Sequence, residues 1–198
     1  MESRRDAGSI EVICGPMFSG KTEELIRRLR RAVIGRQKVQ VFKPVIDRRY
    51  HETRITSHSA QSLDARPVVD VAALVAAVDA DAQVVGIDEA QFFGPALVPA
   101  VEALADRGVR VLIAGLDQDY LGRPFEPIQQ LMAVAEHVTK CHAVCSTCGA
   151  AASRSFRTCG GGDRVQVGAA DSYEARCRAC YQRGMTEASG DPRARGAA

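Results

Sequence analysis

Residues 10–22, IEVICGPMFSGKT, constrain this chain more than any other stretch. A short apolar run ends in Gly15, and Gly15-Pro16-Met17-Phe18-Ser19-Gly20-Lys21-Thr22 follows at once. Helix-forming residues begin directly afterwards. A strand, a glycine-bounded loop and a helix start are the context in which G-x-x-x-x-G-K-[ST] reads as a phosphate-binding loop. The loop N–H groups converge on an anion, and the helix N-terminus adds the positive end of its dipole. Lys21 reaches terminal phosphates as a point charge, and Thr22 offers its hydroxyl to Mg²⁺. A glycine-rich turn matching by chance does not account for strand, glycines, lysine, hydroxyl and helix together.

The second informative stretch is QVVGIDEAQFF, residues 83–93. Val84, Val85 and Ile87 predict a buried strand with Asp88 at its carboxyl end. An apolar strand ending in Asp is the Walker-B arrangement, its carboxylate turned toward the metal beside Thr22. Glu89 follows. Alone, this acid pair could cap the next helix; beside a phosphate loop, the metal reading prevails. In open α/β sheets ligands sit at the carboxyl ends of strands, and both motifs point there.

Between and after these motifs, strands alternate with helices. The pattern predicts strands at 9–14, 38–42, 66–69, 84–87, 109–114 and 137–144, the last completing the core. It predicts helices at 20–34, 71–78, 95–107 and 128–135. The expected fold class is α/β: a P-loop (RecA-like) parallel sheet covered by helices, with a small C-terminal zinc-binding module. In the first helix Leu25, Ile26, Leu29 and Val33 should face the sheet, and Gly35 should stop it. Arg27, Arg28, Arg30 and Arg31 read as a solvated face in preference to a DNA-reading stripe. Asp70 is the expected N-cap of the second helix, and Cys14 reads as a small buried thiol. Residues 43–65 are polar and lack a period, and connections of that length are usually functional or mobile. Asp47, Arg49 and His58 are their candidates. The loop after the 109–114 strand carries Tyr120 and Phe125, which either sandwich a flat ligand or anchor the loop on the core.

The composition shifts at Cys145. Cys145-Ser-Thr-Cys148 and Cys177-Arg-Ala-Cys180 enclose 28 residues rich in Gly, Ser and Thr, with alternating patches at 153–157 and 164–168. Paired C-x-x-C knuckles fit a tetrahedral Cys₄ zinc site holding a ribbon too small for its own core. Cys141 and Cys159 are spare thiols, either of which could displace a ligand from that set. The expected organisation is a flexible terminus (1–8), a kinase-like core (9–144), the zinc module (145–184) and a polar, disordered tail (185–198).

The whole chain excludes several classes. At 198 residues it can bury one core plus a small module. A net charge of +2 gives no bulk attraction to nucleic acid or membrane. No apolar run reaches the roughly 18 residues of a membrane span, and the N-terminus has no secretory h-region. Seven cysteines, an odd number with two C-x-x-C pairs, read as metal before disulfide. A cytoplasmic location is expected.

GPMFSGKT, IDEAQFF, LDQDY and the two knuckles stand in the order seen in type II thymidine kinases, the cytosolic human-like form, and the chain resembles that family from about residue 10 to 181. The resemblance implies transfer of the ATP γ-phosphoryl group to the 5′-hydroxyl of thymidine or deoxyuridine. It implies Glu89 as general base and Asp88 as the Mg²⁺-associated carboxylate. Gly15 to Thr22, Asp47, Arg49 and Gln91 fall to the nucleotide. Met17, Leu116 and Ser155 fall to the base pocket, and Phe92, Tyr120 and Phe125 to the nucleoside surround. Arg164, Val165, Gln166, Val167 and Gly168, with Tyr173, match a lasso that holds thymine largely by main-chain hydrogen bonds. Structural Zn²⁺, a homotetramer and feedback inhibition by dTTP are also implied, with no nucleic-acid or membrane partner. Two rival readings are a nucleic-acid-binding ATPase gripping DNA with its ribbon, and a non-enzymatic nucleotide sensor.

Overall fold

Strand alternation sets the layering. The computed structural model describes residues 8–45, 54–56, 62–158 and 172–189. Strand β1 (Ser9–Gly15) puts Ile10, Val12 and Cys14 in one apolar cluster and Ile13 in another, because successive side chains point to opposite faces. β1 lies between β7 (Arg110–Leu116) and β8 (His137–Lys140). The six-stranded sheet continues outward from β7 through β6 (Val84–Ile87) and β2 (Val39–Pro44) to β5 (Arg66–Val68). Every pairing in it is parallel, as the alternation of strands and helices predicts.

Helices cover both faces. On one, α1 (Lys21–Ile34) buries Leu25, Ile26, Leu29 and Ala32 against Ile13, Val41, Val84 and Leu112. Val33, expected in that stripe, is 52% exposed. Ala32 lies almost two full turns beyond Leu25, whereas Val33 is rotated about 80° off that line. The helix ends at Gly35, whose N–H reaches Arg31 O, but the left-handed residue is Arg36, φ 59°. On the other face, α2 (Val71–Ala77), α3 (Leu97–Asp106) and α4 (Glu126–Val134) bury Leu74, Leu97, Val101, Leu104, Ile128 and Leu131. Asp70 caps α2 as expected, accepting from Ala73 N–H at 2.7 Å. Pro127 in the first turn starts α4 two residues before the predicted 128.

Further expectations are corrected. The predicted core strand over 137–144 is two strands. Cys141 N–H bonds to Cys14 O at 2.8 Å; beyond it the chain leaves the sheet, and β9 (Ala143–Val144) pairs antiparallel with β10 (Ala151–Ala152). β8 is therefore a largely exposed edge strand. The polar segment 43–65 contains a hairpin, β3 (Arg54–Thr56) against β4 (Ser62–Asp64). Asp47, Arg49 and His58 lie outside the described residues. In the C-terminal module β11 (Arg154–Arg157) pairs antiparallel with β12 (Tyr173–Arg176), so the 153–157 patch is a strand; the 164–168 patch is outside the described residues. Helix α5 (Arg178–Ser189) runs past Met185, where a disordered tail was expected. Among the described residues no helix is long and apolar enough to cross a membrane.

One charged cluster inside this frame pins the phosphate-loop helix. Glu11 on β1 is 7% exposed. Its carboxylate accepts from Arg28 Nη1 of α1 at 2.8 Å and from Arg110 Nε of β7 at 2.6 Å. Arg28 also donates to Glu24 and to Thr139 of β8. Arg28 is thus an inner clamp, not part of a solvated face; Arg27, Arg30 and Arg31 are exposed. Burial pushes the Glu11 carboxyl up, but the hydrogen bonds and charges of Arg110 and Arg28 more than offset it, leaving it below its ordinary value. Glu11→Ala would leave Arg28 to Glu24 and Thr139 and Arg110 to solvent, and is expected to destabilise by about 1.5–3 kcal/mol in urea titration. Because the folded-state value is depressed, this stability is present above the ordinary carboxyl range and lost as pH falls through the lower folded value. Glu11→Gln should flatten that acid limb.

Candidate functional site

The loop between β1 and α1 is shaped by backbone that few residues tolerate. Gly15 has φ 146°, and a Cβ there would lie 2.4 Å from Cys141 O. Gly20, φ 78°, is the N-cap of α1 and makes no side-chain cap, so no side chain competes with an anion for the first-turn amides. Pro16 O accepts from Ser19 Oγ at 2.8 Å and from Lys21 Nζ at 2.7 Å, so the lysine folds across the loop. Burial pushes the Lys21 ammonium down, and the carboxylates of Glu89, Asp88 and Asp117 oppose that. The loop and the acids therefore share one electrostatic site.

Asp88, at the carboxyl end of β6, is 6% exposed. Thr22 Oγ1 donates to its carboxylate at 3.2 and 3.4 Å. Burial, then the neighbouring Glu89 charge, pushes Asp88 up to about 7; the Glu89 N–H, the Thr22 hydroxyl and Lys21 oppose the rise. A carboxylate so disfavoured is one that a cation would ionise. Adjacent ligands on an octahedral Mg²⁺ at about 2.1 Å are roughly 3 Å apart, so Thr22 and Asp88 fit that ion. Glu89 is left-handed, φ 52° and ψ 38°, a strained backbone for a non-glycine residue and one that concentrates at active sites. Its Oε2 accepts from Gln91 Nε2 at 2.5 Å, and Gln91 Oε1 accepts from Leu116 N–H at 3.0 Å.

The loop after β7 closes one side. Asp119 Oδ1 accepts from the N–H groups of Leu121 and Arg123, which winds LDQDYLGR into a tight turn and presents Tyr120. The C-terminal module docks here. Met17 N–H donates to Ser155 Oγ at 3.0 Å, Tyr181 Oη donates to Tyr120 O at 2.8 Å, and Arg154 bonds Gln118. The Arg157 guanidinium stacks 3.6 Å over the Tyr120 ring. Of the two aromatics left open between stacking and anchoring, Phe125 is an anchor, 6% exposed in the core cluster. Tyr120 has one face covered by Arg157. Tyr173 is buried, its hydroxyl accepting from Arg157 at 3.2 Å. Phe92 is half-buried in a 3₁₀ turn (Ala90–Phe92).

Cys145, Cys148, Cys177 and Cys180 bring four sulfurs within 4.8 Å of one another. Cys148 Sγ and Cys177 Sγ are 3.7 Å apart. Ligands about 2.3 Å from a tetrahedral ion stand about 3.8 Å apart, so the set is compatible with structural zinc. The backbone N–H of Cys177 leads the groups that push Cys145 down to about 6, and the Cys180 N–H lowers Cys177. Burial and the neighbouring thiols push Cys180 up to about 11. Thiolates crowded this closely repel until a cation joins them. Cys141 is outside this set, beside Gly15; Cys159 is outside the described residues.

The structure thus gathers Lys21, Thr22, Asp88, Glu89, Gln91 and Leu116 at one sheet edge, with Met17 tied to Ser155. Arg164, Val165, Gln166, Val167 and Gly168, like Asp47 and Arg49, lie outside the described residues. Gln91, expected on the nucleotide, has both ends of its amide engaged within the protein. Sequence reasoning missed Asp117, which is 6% exposed and ion-paired with Lys140 at 2.8 Å. Its signal was an acid one residue beyond an apolar strand, the pattern that marked Asp88.

Comparison with known proteins covers nearly the same span. The family described as "Thymidine kinase" matches residues 8–181. A thymidine kinase of Bdellovibrio bacteriovorus is 58% identical over 171 residues, 86% of this chain and 84% of that protein. One of a Rhodothermus species is 59% identical over 175 residues, 88% of this chain and 82% of that protein. One of Bacteroides fragilis is 49% identical over 187 residues, 94% of each.

The cysteine cluster has a direct test. Atomic absorption of purified protein should find about one zinc per chain, and Cys177→Ser should lose it. The melting temperature should then fall by on the order of 5–10 °C, as a loss of roughly 2–3 kcal/mol would produce. An unchanged melting temperature without metal would refute the staple.

Proposed function

The chain belongs to the thymidine kinase family, and from that membership we propose that it transfers the γ-phosphoryl group of ATP to the 5′-hydroxyl of thymidine, and of deoxyuridine as well. The observation that carries this reading is the meeting of two motifs distant in sequence: Thr22 of the phosphate loop lies 3.2 Å from Asp88, with Glu89 the next residue. Phosphoryl transfer asks the protein for position and charge neutralisation more than covalent chemistry. The loop N–H groups and Lys21 would hold the β- and γ-phosphates. Thr22 and Asp88 would hold Mg²⁺, which supplies further neutralisation when bound. Glu89 would orient the nucleoside hydroxyl and take its proton late in transfer.

Met17, Leu116 and Ser155 are proposed for the base pocket. Phe92 and Tyr120 follow as its surround, with Phe125 anchoring the Tyr120 loop on the core, and residues 164–168 with Tyr173 as the segment that holds thymine largely by main-chain hydrogen bonds. Asp47 and Arg49 are proposed to close over the phosphates. The four-cysteine ion is proposed as structural Zn²⁺, with a core over 9–144 and a module from 145 onward. A homotetramer, dTTP feedback and a cytoplasmic location belong to the same reading.

Labelled ATP should phosphorylate thymidine and deoxyuridine, not deoxycytidine, and DNA should not stimulate ATP hydrolysis. Glu89→Gln should lower kcat by about 10²–10⁴-fold, the usual contribution of a general base, while thymidine still binds in calorimetry. Near-native turnover in that variant would remove Glu89 from the role; DNA-stimulated hydrolysis without nucleoside phosphorylation would overturn the reaction.

A further inference from the structure

Gln91 is a buried polar side chain whose chemistry the proposed reaction leaves unused. It is 5% exposed, two residues beyond Glu89. The Leu116 N–H at the end of β7 donates to one end of its amide at 3.0 Å. That end must be the oxygen, because a backbone N–H needs an acceptor. The amide nitrogen is thereby turned to the opposite side, where it donates to Glu89 Oε2 at 2.5 Å. A backbone donor thus dictates which way the amide faces.

Two further features shape the same contact. Gly115 makes room for the amide: a Cβ there would lie 2.9 Å from Gln91 Oε1 and 2.6 Å from Ile128 Cδ1. Glu89 starts from a left-handed backbone, which persists only where its surroundings over-determine it. Its N–H is tied to Asp88 Oδ1 at 3.0 Å. Gln91 then holds one oxygen of the carboxylate.

We propose that Gln91 is a positioning residue for Glu89, bracing the carboxylate against the backbone of β7 instead of contacting ATP. This rests on Glu89 being the base. A reacting group displaced by about 1 Å can lose on the order of 10²-fold in rate, so the brace should act on turnover and not on affinity.

The test uses the full-length, metal-loaded protein. Gln91→Met keeps the length but removes the donor to Glu89 and adds no charge beside it. It should lower kcat by roughly 10–100-fold. KM for thymidine and for ATP should stay within about twofold, measured at a temperature where the variant is fully folded. Introduced on top of Glu89→Gln, it should lower the residual rate no further, since it acts only through Glu89. Gly115→Ala, which crowds the amide without altering it, should reproduce part of the loss in kcat. Native kcat in Gln91→Met, a loss carried by KM, or an additive loss in the Glu89→Gln background would each overturn the proposal. If Gln91→Met does not fold, Gln91→Leu is judged by the same criteria. An inactive Glu89→Gln beside fully active Gln91 variants sinks the brace alone; a fully active Glu89→Gln sinks the base and the brace together.

Discussion

Parallel registration of β6, β7 and β1 is the constraint on which the site depends. Gly15 pairs with Leu116 and Ile87 with Ile113, so the loops that leave these strands open on one edge of the sheet. Parallel strands joined by crossovers direct all their carboxyl ends the same way. The phosphate loop, the acid pair and the LDQDY turn meet there without being near in sequence. A register slip of one residue would turn every buried side chain of a strand to the opposite face and part Glu11 from Arg28 and Arg110. The Glu11 cluster adds a charged lock, joining β1, β7, α1 and, through Thr139, β8.

The edge so formed is electrostatically unfinished. Asp88, Glu89 and Asp117 face a half-buried lysine, and Asp88 is held well above the ordinary carboxyl range. The left-handed backbone of Glu89 stores strain at the same point. Such arrangements are tolerated where a rigid frame outweighs them, and they suit a site that completes its charge balance by binding a metal-bound polyphosphate.

The C-terminal module is docked on that edge. Ser155 reaches back 138 residues to the amide of Met17 in the phosphate loop. Tyr181 holds the Tyr120 carbonyl, and Arg157 covers the Tyr120 ring. The module's own apolar cluster consists mainly of alanines and cysteines, too small to define a fold unaided. Its four sulfurs therefore bear on the geometry of a loop in another layer.

Local pattern determined much of this protein by itself. The phosphate loop, the Asp88–Glu89 pair, the parallel α/β order, the Asp70 cap and the paired knuckles were all legible, because each depends on neighbours within a turn or a strand. The break at Cys141 was not, since β8 stops where a hydrogen bond to Cys14, far along the chain, ends its ladder. Nor was the inward turn of Arg28, whose partners Glu11 and Thr139 lie on two strands, or the burial of Gln91 between Glu89 and Leu116. Periodicity reports which face of an element is apolar. It carries no record of which polar group waits on the element packed against it, and only the assembled sheet decides that.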